Sequence, residues 1–291
     1  MTTTIALQLL FSGLSIGGVY ALVALAIVIP YKASGVLNFG QGEIVTLGAY
    51  IALVLTQWGL DYWFVLLGTI LVSTLFGIAF ERGAIRPIVR APEFTIVIAT
   101  FAVGLLIRGA IRLYWEDNPF SLPPPFDVPP LNLGGVRLNV TFIWILVCTS
   151  FVGLASALFF KYTRFGKAMR AVSQNQAAAR LMGIVVERVY MTAWAISTAI
   201  GAVAGLLLAP VIGINPEIGN LLLKAIVGAV LGGFTSLGGA LIGGLLIGVI
   251  ETFSGVLIGS TFKNVAPFVV LIAILLVRPY GLFGKPQVRR V

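Results

Sequence analysis

The amino-acid sequence predicts an all-α protein, a polytopic bundle of transmembrane helices. Two facts of composition and one pattern carry that expectation. Of 291 residues, 59% are hydrophobic and only 10% are charged, whereas a soluble domain needs about a quarter charged residues to wet its surface. Mean hydropathy is +1.05. Apolar runs continue from Ile5 to Val277 with no long polar stretch. A chain of this kind turns apolar side chains to lipid, where only helices and closed barrels satisfy the backbone. One membrane domain over 1–291 is the simplest organisation. Met1–Thr4 is uncharged, and the first apolar run is too long for a cleaved signal peptide.

About nine segments (eight to ten, given their soft edges) approach the roughly 20 residues that cross a bilayer. They are 5–29, 33–56, 63–81, 94–114, 141–161, 189–210, 218–235, 238–259 and 264–278. The second, seventh and eighth are interrupted by glycine, so each is a candidate broken or re-entrant helix. One set of connections holds Arg82, Arg86, Arg90, Lys161, Arg164, Lys167, Arg170, Arg180 and Arg188, with the tail Arg278, Lys285, Arg289 and Arg290. The opposite set holds Asp61, Glu116, Asp117, Asp127 and Glu217, with Arg137 and Lys263 as its few basic residues. Basic loops stay in the cytoplasm, so the C-terminus is expected inside and the N-terminus outside. The net charge of +9 is thereby a membrane signature, and no nucleic acid partner is expected.

Two connections stand out. The outer loop at 115–140 holds Pro119, Pro123, Pro124, Pro125, Pro129 and Pro130, a density that favours extended, polyproline-like chain. It reads equally as a docking surface and as a stiff connector. The inner loop at 162–187 has neither Gly nor Pro from Lys167 to Met182, which predicts one helix there. At roughly 100° per residue, Ala168, Ala171, Val172, Ala178, Ala179 and Met182 share a face, with Asn175 in its middle. Lys167 and Arg170 lie elsewhere, and Gly183 supplies a stop. Small residues suit a protein groove better than a membrane surface, although a helix packed on its own membrane domain fits the same pattern.

Within the presumed spans, the second segment contains Asn38-Phe-Gly40-Gln41-Gly42-Glu43. A comparable interruption follows at Pro210-Val-Ile-Gly213-Ile-Asn215-Pro216-Glu217-Ile-Gly219. Polar groups at membrane depth are costly unless they face the bundle interior, and paired Gly/Pro-interrupted segments point to a transport path. Glycine used for close helix packing is the competing explanation. The stretch Val227–Val249 is richer still in glycine. Its Gly232-Gly233-Phe-Thr-Ser-Leu-Gly238-Gly239 lacks the spacing and lysine of a phosphate-binding loop, so tight helix crossing is expected. Lys224 and Glu251 are further charges within or near spans, free to line a path, pair with a partner or snorkel.

Enzyme chemistry lacks its usual parts. There is no histidine, and the single Cys148 lies in an apolar run, which removes the commonest general base and metal ligand together with any intrachain disulfide. The chain reads as non-enzymatic, with no metal and no cofactor of its own.

With these segments in view, the chain resembles permeases of high-affinity branched-chain amino-acid ATP-binding-cassette importers, of the LivH type. The resemblance runs over nearly the whole length. It rests on Asn38–Glu43, Glu81-Arg-Gly-Ala-Ile-Arg-Pro87, Thr163–Ile184, Leu231-Gly-Gly233 with Gly238-Gly239-Ala, and Arg278-Pro-Tyr-Gly281. The chain departs where the family often has Ala-His, here Gly40-Gln41, and at Asn175 and Gln176, where the family is often acidic. The resemblance implies a second related permease, two cytoplasmic ATPase subunits holding ATP-Mg, and an external or periplasmic solute-binding protein, all in a bacterial-type inner membrane. Solutes of such relatives are branched-chain or other amino acids, urea or amides. The expected coupling element is the inner loop, with Arg164, Gly166, Arg170, Ala171, Asn175, Ala179 and Gly183. There Arg164 and Arg170 meet acidic groups, and Gly166 lets the chain turn into the helix. The expected path is lined by Asn38, Gly40, Gln41, Gly42, Glu43, Gly213, Asn215, Pro216 and Gly219. An ion-coupled secondary transporter is the alternative; it needs midplane coupling sites, for which Glu43 and Glu251 are the candidates.

Overall fold

The computed structural model describes residues 3–89, 91–133 and 135–284. Arg90, Lys285, Arg289 and Arg290 of the orientation argument lie outside the described residues. In chain order the helices are α1 (Thr3–Ser34), α2 (Gln41–Gln57), α3 (Tyr62–Phe80), α4 (Arg86–Ile88), α5 (Glu93–Trp115), α6 (Val140–Tyr162), α7 (Arg164–Gln174), α8 (Gln176–Leu181), α9 (Val186–Ile212), α10 (Leu222–Gly232), α11 (Leu237–Leu257) and α12 (Phe262–Val277). A π-turn, Glu81–Ile85, joins α3 to α4, and a 3-10 turn, Ile218–Leu221, leads into α10. Each of the nine expected segments has its helix. Among the described residues, six helical stretches are long and apolar enough to cross a membrane: Thr3–Ser34, Tyr62–Ile88, Glu93–Trp115, Val140–Tyr162, Val186–Ile212 and Leu237–Leu257. The architecture is an all-α membrane bundle.

The second segment departs from the expected 33–56 span. Instead α1 continues to Ser34, stopping where Gly35 takes φ +76°, a conformation that glycine adopts without strain. Residues 36–38 are irregular, and α2 begins only at Gln41. The proline-rich loop departs too. After Pro129 and Pro130 it forms a short antiparallel hairpin, β1 (Leu131–Leu133) with β2 (Val136–Leu138), pairing Leu131 with Leu138.

The chain packs as two compact units, Met1–Val28 with Phe126–Gly153 and Leu223–Val291, and Ile29–Pro125 with Leu154–Leu222. Both are built inside out relative to a soluble domain. On α3, Trp63, Phe64, Leu67, Leu71 and Leu75 are exposed, whereas Val65, Thr69, Ser73 and Gly77 are buried. The buried set recurs every four residues, one helical face. Small residues on it let backbones approach, as helix pairs in lipid require, since lipid offers no hydrophobic drive for association. Thr198 of α9 lies where a Gly77 Cβ would be, and its hydroxyl donates to the Ser73 carbonyl at 2.9 Å. In the first unit the glycines of 227–249 do the same work. Gly228 meets Gly244, Gly232 meets Gly239, and Gly248 meets Gly17 of α1, all through backbone. The expected tight helix crossing is what these glycines make.

Candidate functional site

The second unit brings the two interrupted segments together. A Cβ on Gly42 would collide with the Gly219 carbonyl, and one on Gly219 would meet the Glu43 carboxylate at 2.7 Å. These residues are about 175 positions apart in sequence, yet they share one wall of the α2 N-terminus. Gly40 lies against the Thr100 carbonyl, and Gly104 comes within 3.1 Å of Gly40 by the same measure. Thr100 and Gly104 are near the middle of α5, so α2 starts about halfway along a membrane-crossing helix.

Hydrogen bonds hold this start. The Asn38 amide donates to the Gln41 side chain at 3.0 Å and accepts from the Gly40 N–H at 3.0 Å. Gln41 also accepts from the Ser197 hydroxyl at 3.1 Å, and Thr100 Oγ1 accepts from the Phe39 N–H at 3.1 Å. Asn38 and Gln41 are both buried, and such buried polar groups are tolerable because they satisfy one another. On the other segment, Gly213 ends α9 with φ +79°. Asn215 accepts from the Glu217 N–H at 2.9 Å, folding the turn over buried Pro216. Phe120 and Ile214 exchange backbone hydrogen bonds at 2.9 and 2.8 Å.

Two arginines complete the site. Arg108 pairs with Glu43, donates to Asn220 at 3.2 Å, and lies 3.7 Å from Glu217. Arg112 bridges Glu217 at 2.6 Å and Asp117 at 2.9 Å. Neither arginine interrupts the apolar run of its span, yet the sequence carries their signal. Ile96, Thr100, Gly104, Arg108 and Arg112 repeat every four residues, so the inward stripe of α5 simply continues into two charges.

A second charged cluster sits in the first unit and resolves Lys224 and Glu251. Buried Glu251 accepts from Lys224 at 2.8 Å and from the Tyr20 hydroxyl at 2.7 Å, with Lys263 at 3.7 Å. Lys224 also donates to Asn264 at 2.9 Å. The two charges therefore pair within the chain.

The inner loop differs from expectation in three ways. Its helix breaks at Asn175, whose backbone is extended and whose side chain caps α8 by accepting from the Ala178 N–H at 3.0 Å. Asparagine favours that cap over a helix interior, so Asn175 is not the middle of a face. Gly166 is helical, and the Phe160 carbonyl occupies its Cβ position; it serves close approach rather than a turn. Val172 and Ala179 are buried, Ala168 and Ala171 are half-buried, and Ala178 is exposed, so the small-residue face is turned only in part into the chain itself. Arg170 donates to the Phe160 carbonyl. Arg164 is exposed, as are Leu181 and Met182, at 88% and 83%. Gly183 ends the element at φ +80°, with the Ile184 N–H donating to the Ala179 carbonyl at 3.0 Å, a Schellman closure.

Among the described residues no group of three or more His, Cys, Asp or Glu side chains is placed to hold a metal ion. The arrangement offers a polar helix start at membrane depth, walled by glycine backbone and closed by ion pairs.

The model of the family described as branched-chain amino acid transport system, permease component, matches residues 9–277. The chain belongs to that family. It is similar to the high-affinity branched-chain amino acid transport system permease protein LivH of Salmonella typhimurium, 33% identical over 98% of this chain and 97% of the relative. The corresponding BraD protein of Pseudomonas aeruginosa is 35% identical over 98% of each. The ribose import permease protein RbsC of Haemophilus influenzae is 27% identical over 88% of this chain and 81% of its own length. Family and fold make this permease a multi-pass membrane component of an ATP-binding-cassette importer, a transport subunit rather than an enzyme.

Proposed function

We propose that this permease forms the path for branched-chain or chemically related amino acids between the segments Asn38–Glu43 and Gly213–Asn220. The observation that carries the reading is the meeting of Gly42 with Gly219 beside the Glu43–Arg108 pair. Helix starts and non-helical chain at membrane depth persist only where protein or a water-filled passage satisfies them. The working assembly pairs this chain with a second permease and two cytoplasmic ATPase subunits that hold ATP-Mg. A solute-binding protein delivers from outside, in a bacterial-type inner membrane. Work from ATP must then arrive through contacts that differ between two states. The free surface of α7 and α8, with Arg164, Leu181 and Met182, is the part of the inner loop left for an ATPase groove.

The basic loops put Gly183 and the C-terminus in the cytoplasm and Asn132 outside. With Cys148 replaced, single cysteines at 183 and 132 decide this by labelling intact cells with an impermeant thiol reagent; labelling at 183 but not at 132 reverses the orientation. The function itself is tested by co-purification and uptake. Two ATPase chains and ATP-dependent leucine uptake in vesicles are expected. Uptake that follows an ion gradient without ATP would return the secondary-transporter reading.

A further inference from the structure

We infer that Arg108 and Glu43 form a charge-reading station in the path, at which a zwitterionic α-amino acid exchanges partners with the ion pair. The inference rests on the proposed path, and it adds a ligand site with a defined chemistry. Glu43 is nine-tenths buried at the start of α2, and Arg108 reaches it from the inward stripe of α5. Exposure rises outward from this pair, with side-chain values of 10% for Glu43, 23% for Arg108 and 48% for Glu217. The network therefore opens at one end and holds its most buried charge at the other. Glu43 Oε2 and Arg108 Nε are buried without a hydrogen-bond partner among the described residues. Each charge of the pair thus keeps unused bonding capacity.

A buried ion pair opens at low cost only when both charges find new partners together. A zwitterion brings a carboxylate and an ammonium on neighbouring atoms. Its carboxylate fits the planar fork of Arg108, which matches carboxylates with two parallel N–H bonds. Its ammonium falls to Glu43, with Glu217 and Asn220 beside Arg108 as further acceptors. The exchange leaves the net charge of the pair and solute unchanged. A neutral urea or amide hydrogen-bonds to either group but leaves both charges without a counter-ion. The glycines around the pair, Gly42, Gly104 and Gly219, contribute backbone rather than side chains to the wall. Arg108 is accordingly both the latch on α2 and the group that reads the solute.

The test uses the complete importer in proteoliposomes, with leucine, urea and acetamide as probes. The wild-type complex is expected to import leucine. The double variant Glu43→Gln/Arg108→Gln removes both charges and keeps hydrogen-bonding groups. It is expected to assemble, with leucine imported per ATP reduced about tenfold or more, the loss due to removed ionic partners. Leucine import equal to wild type overturns the station while leaving the path intact. Wild-type import of urea or acetamide with exclusion of leucine overturns it as well. A wild-type complex that moves none of the three sinks the proposed path, and this inference with it. Should the double variant fail to assemble, Arg108→Lys decides, because it keeps the ion pair and loses the fork. About a fivefold rise in the leucine concentration for half-maximal uptake supports the reading, and an unchanged value shows a purely structural tie.

Discussion

The two units each contain a carboxylate, a cation and an asparagine in one hydrogen-bonded triad, and the two triads are finished differently. In the first unit, Glu251 takes Lys224 and the Tyr20 hydroxyl, with Lys263 close by, and Lys224 takes Asn264. Every group there is committed to another. Four helices, α1, α10, α11 and the first turn of α12, are tied by that commitment. In the second unit, Glu43 and Arg108 pair while one carboxylate oxygen and one guanidinium nitrogen stay unmatched. Their neighbours are a helix start, a 3-10 turn and glycine backbone rather than continuous helix. The same three side-chain chemistries yield a fixed joint where all bonds are filled, and an exchangeable one where capacity remains. Buried charge is common to both triads; unfilled bonding capacity beside irregular backbone distinguishes the second.

Breaking the filled joint should have the largest effect. Glu251→Leu leaves Lys224 and the Tyr20 hydroxyl without their shared acceptor, and loss of one partner of a buried pair costs about 3–5 kcal/mol. Denaturant unfolding in detergent should register that loss, and a change below about 1 kcal/mol would make this joint as exchangeable as the other. The inner loop offers the same contrast between a used and an unused surface. Ala179→Trp overfills a buried position and should destabilise the chain by about 1–3 kcal/mol. Leu181→Asp, on the exposed side, should stay within about 0.5 kcal/mol yet lower the amount of ATPase subunit that co-purifies. If Leu181→Asp keeps full ATPase binding and transport, the free face is not where the partner sits.

Glycine variants sharpen the comparison at the path. Gly42→Leu drives a side chain into the Gly219 backbone, whereas nothing lies within 4 Å of a Cβ at Gly238. Leucine uptake by Gly42→Leu should fall about tenfold or more, a barrier change of at least about 1.4 kcal/mol, and Gly238→Leu should retain it. Equal uptake by the two variants would remove the Gly42–Gly219 approach from the mechanism. A smaller effect on folding than that of Glu251→Leu is expected for Glu43→Gln, about 1 kcal/mol, because Arg108 keeps Asn220 and Glu217. A stability loss as large as that of Glu251→Leu would show the second triad to be a fixed joint too.

Much of this was readable in the residues. Hydropathy located a helix in each of the nine apolar segments, because a lipid-facing segment announces itself by length and composition. The pairing of two glycine-interrupted segments also came through, since Asn38–Glu43 and Gly213–Gly219 are conspicuous in apolar surroundings. Arg108 and Arg112 escaped notice because a span is read as a run, and their meaning lies in the four-residue stripe they share with Thr100 and Gly104. The break at Asn175 was hidden for a related reason. Propensity favours helix on both sides of it, and only the side-chain bond to the Ala178 N–H reveals the cap. The burial of Ala179 is a tertiary fact, which periodicity alone does not orient.

The central claim, that solute passes between the two interrupted segments, is tested most directly after folding is complete. Asn220 is exposed and bonded to Arg108, so a cysteine there lies at the open end of the network without disturbing a buried position. In a chain with Cys148 replaced by serine, Asn220→Cys is reconstituted with its partners and treated with a cationic methanethiosulfonate reagent. The account predicts that stoichiometric modification lowers leucine uptake by about tenfold or more, and that leucine-loaded binding protein slows the modification. Full leucine uptake by completely modified protein would contradict it.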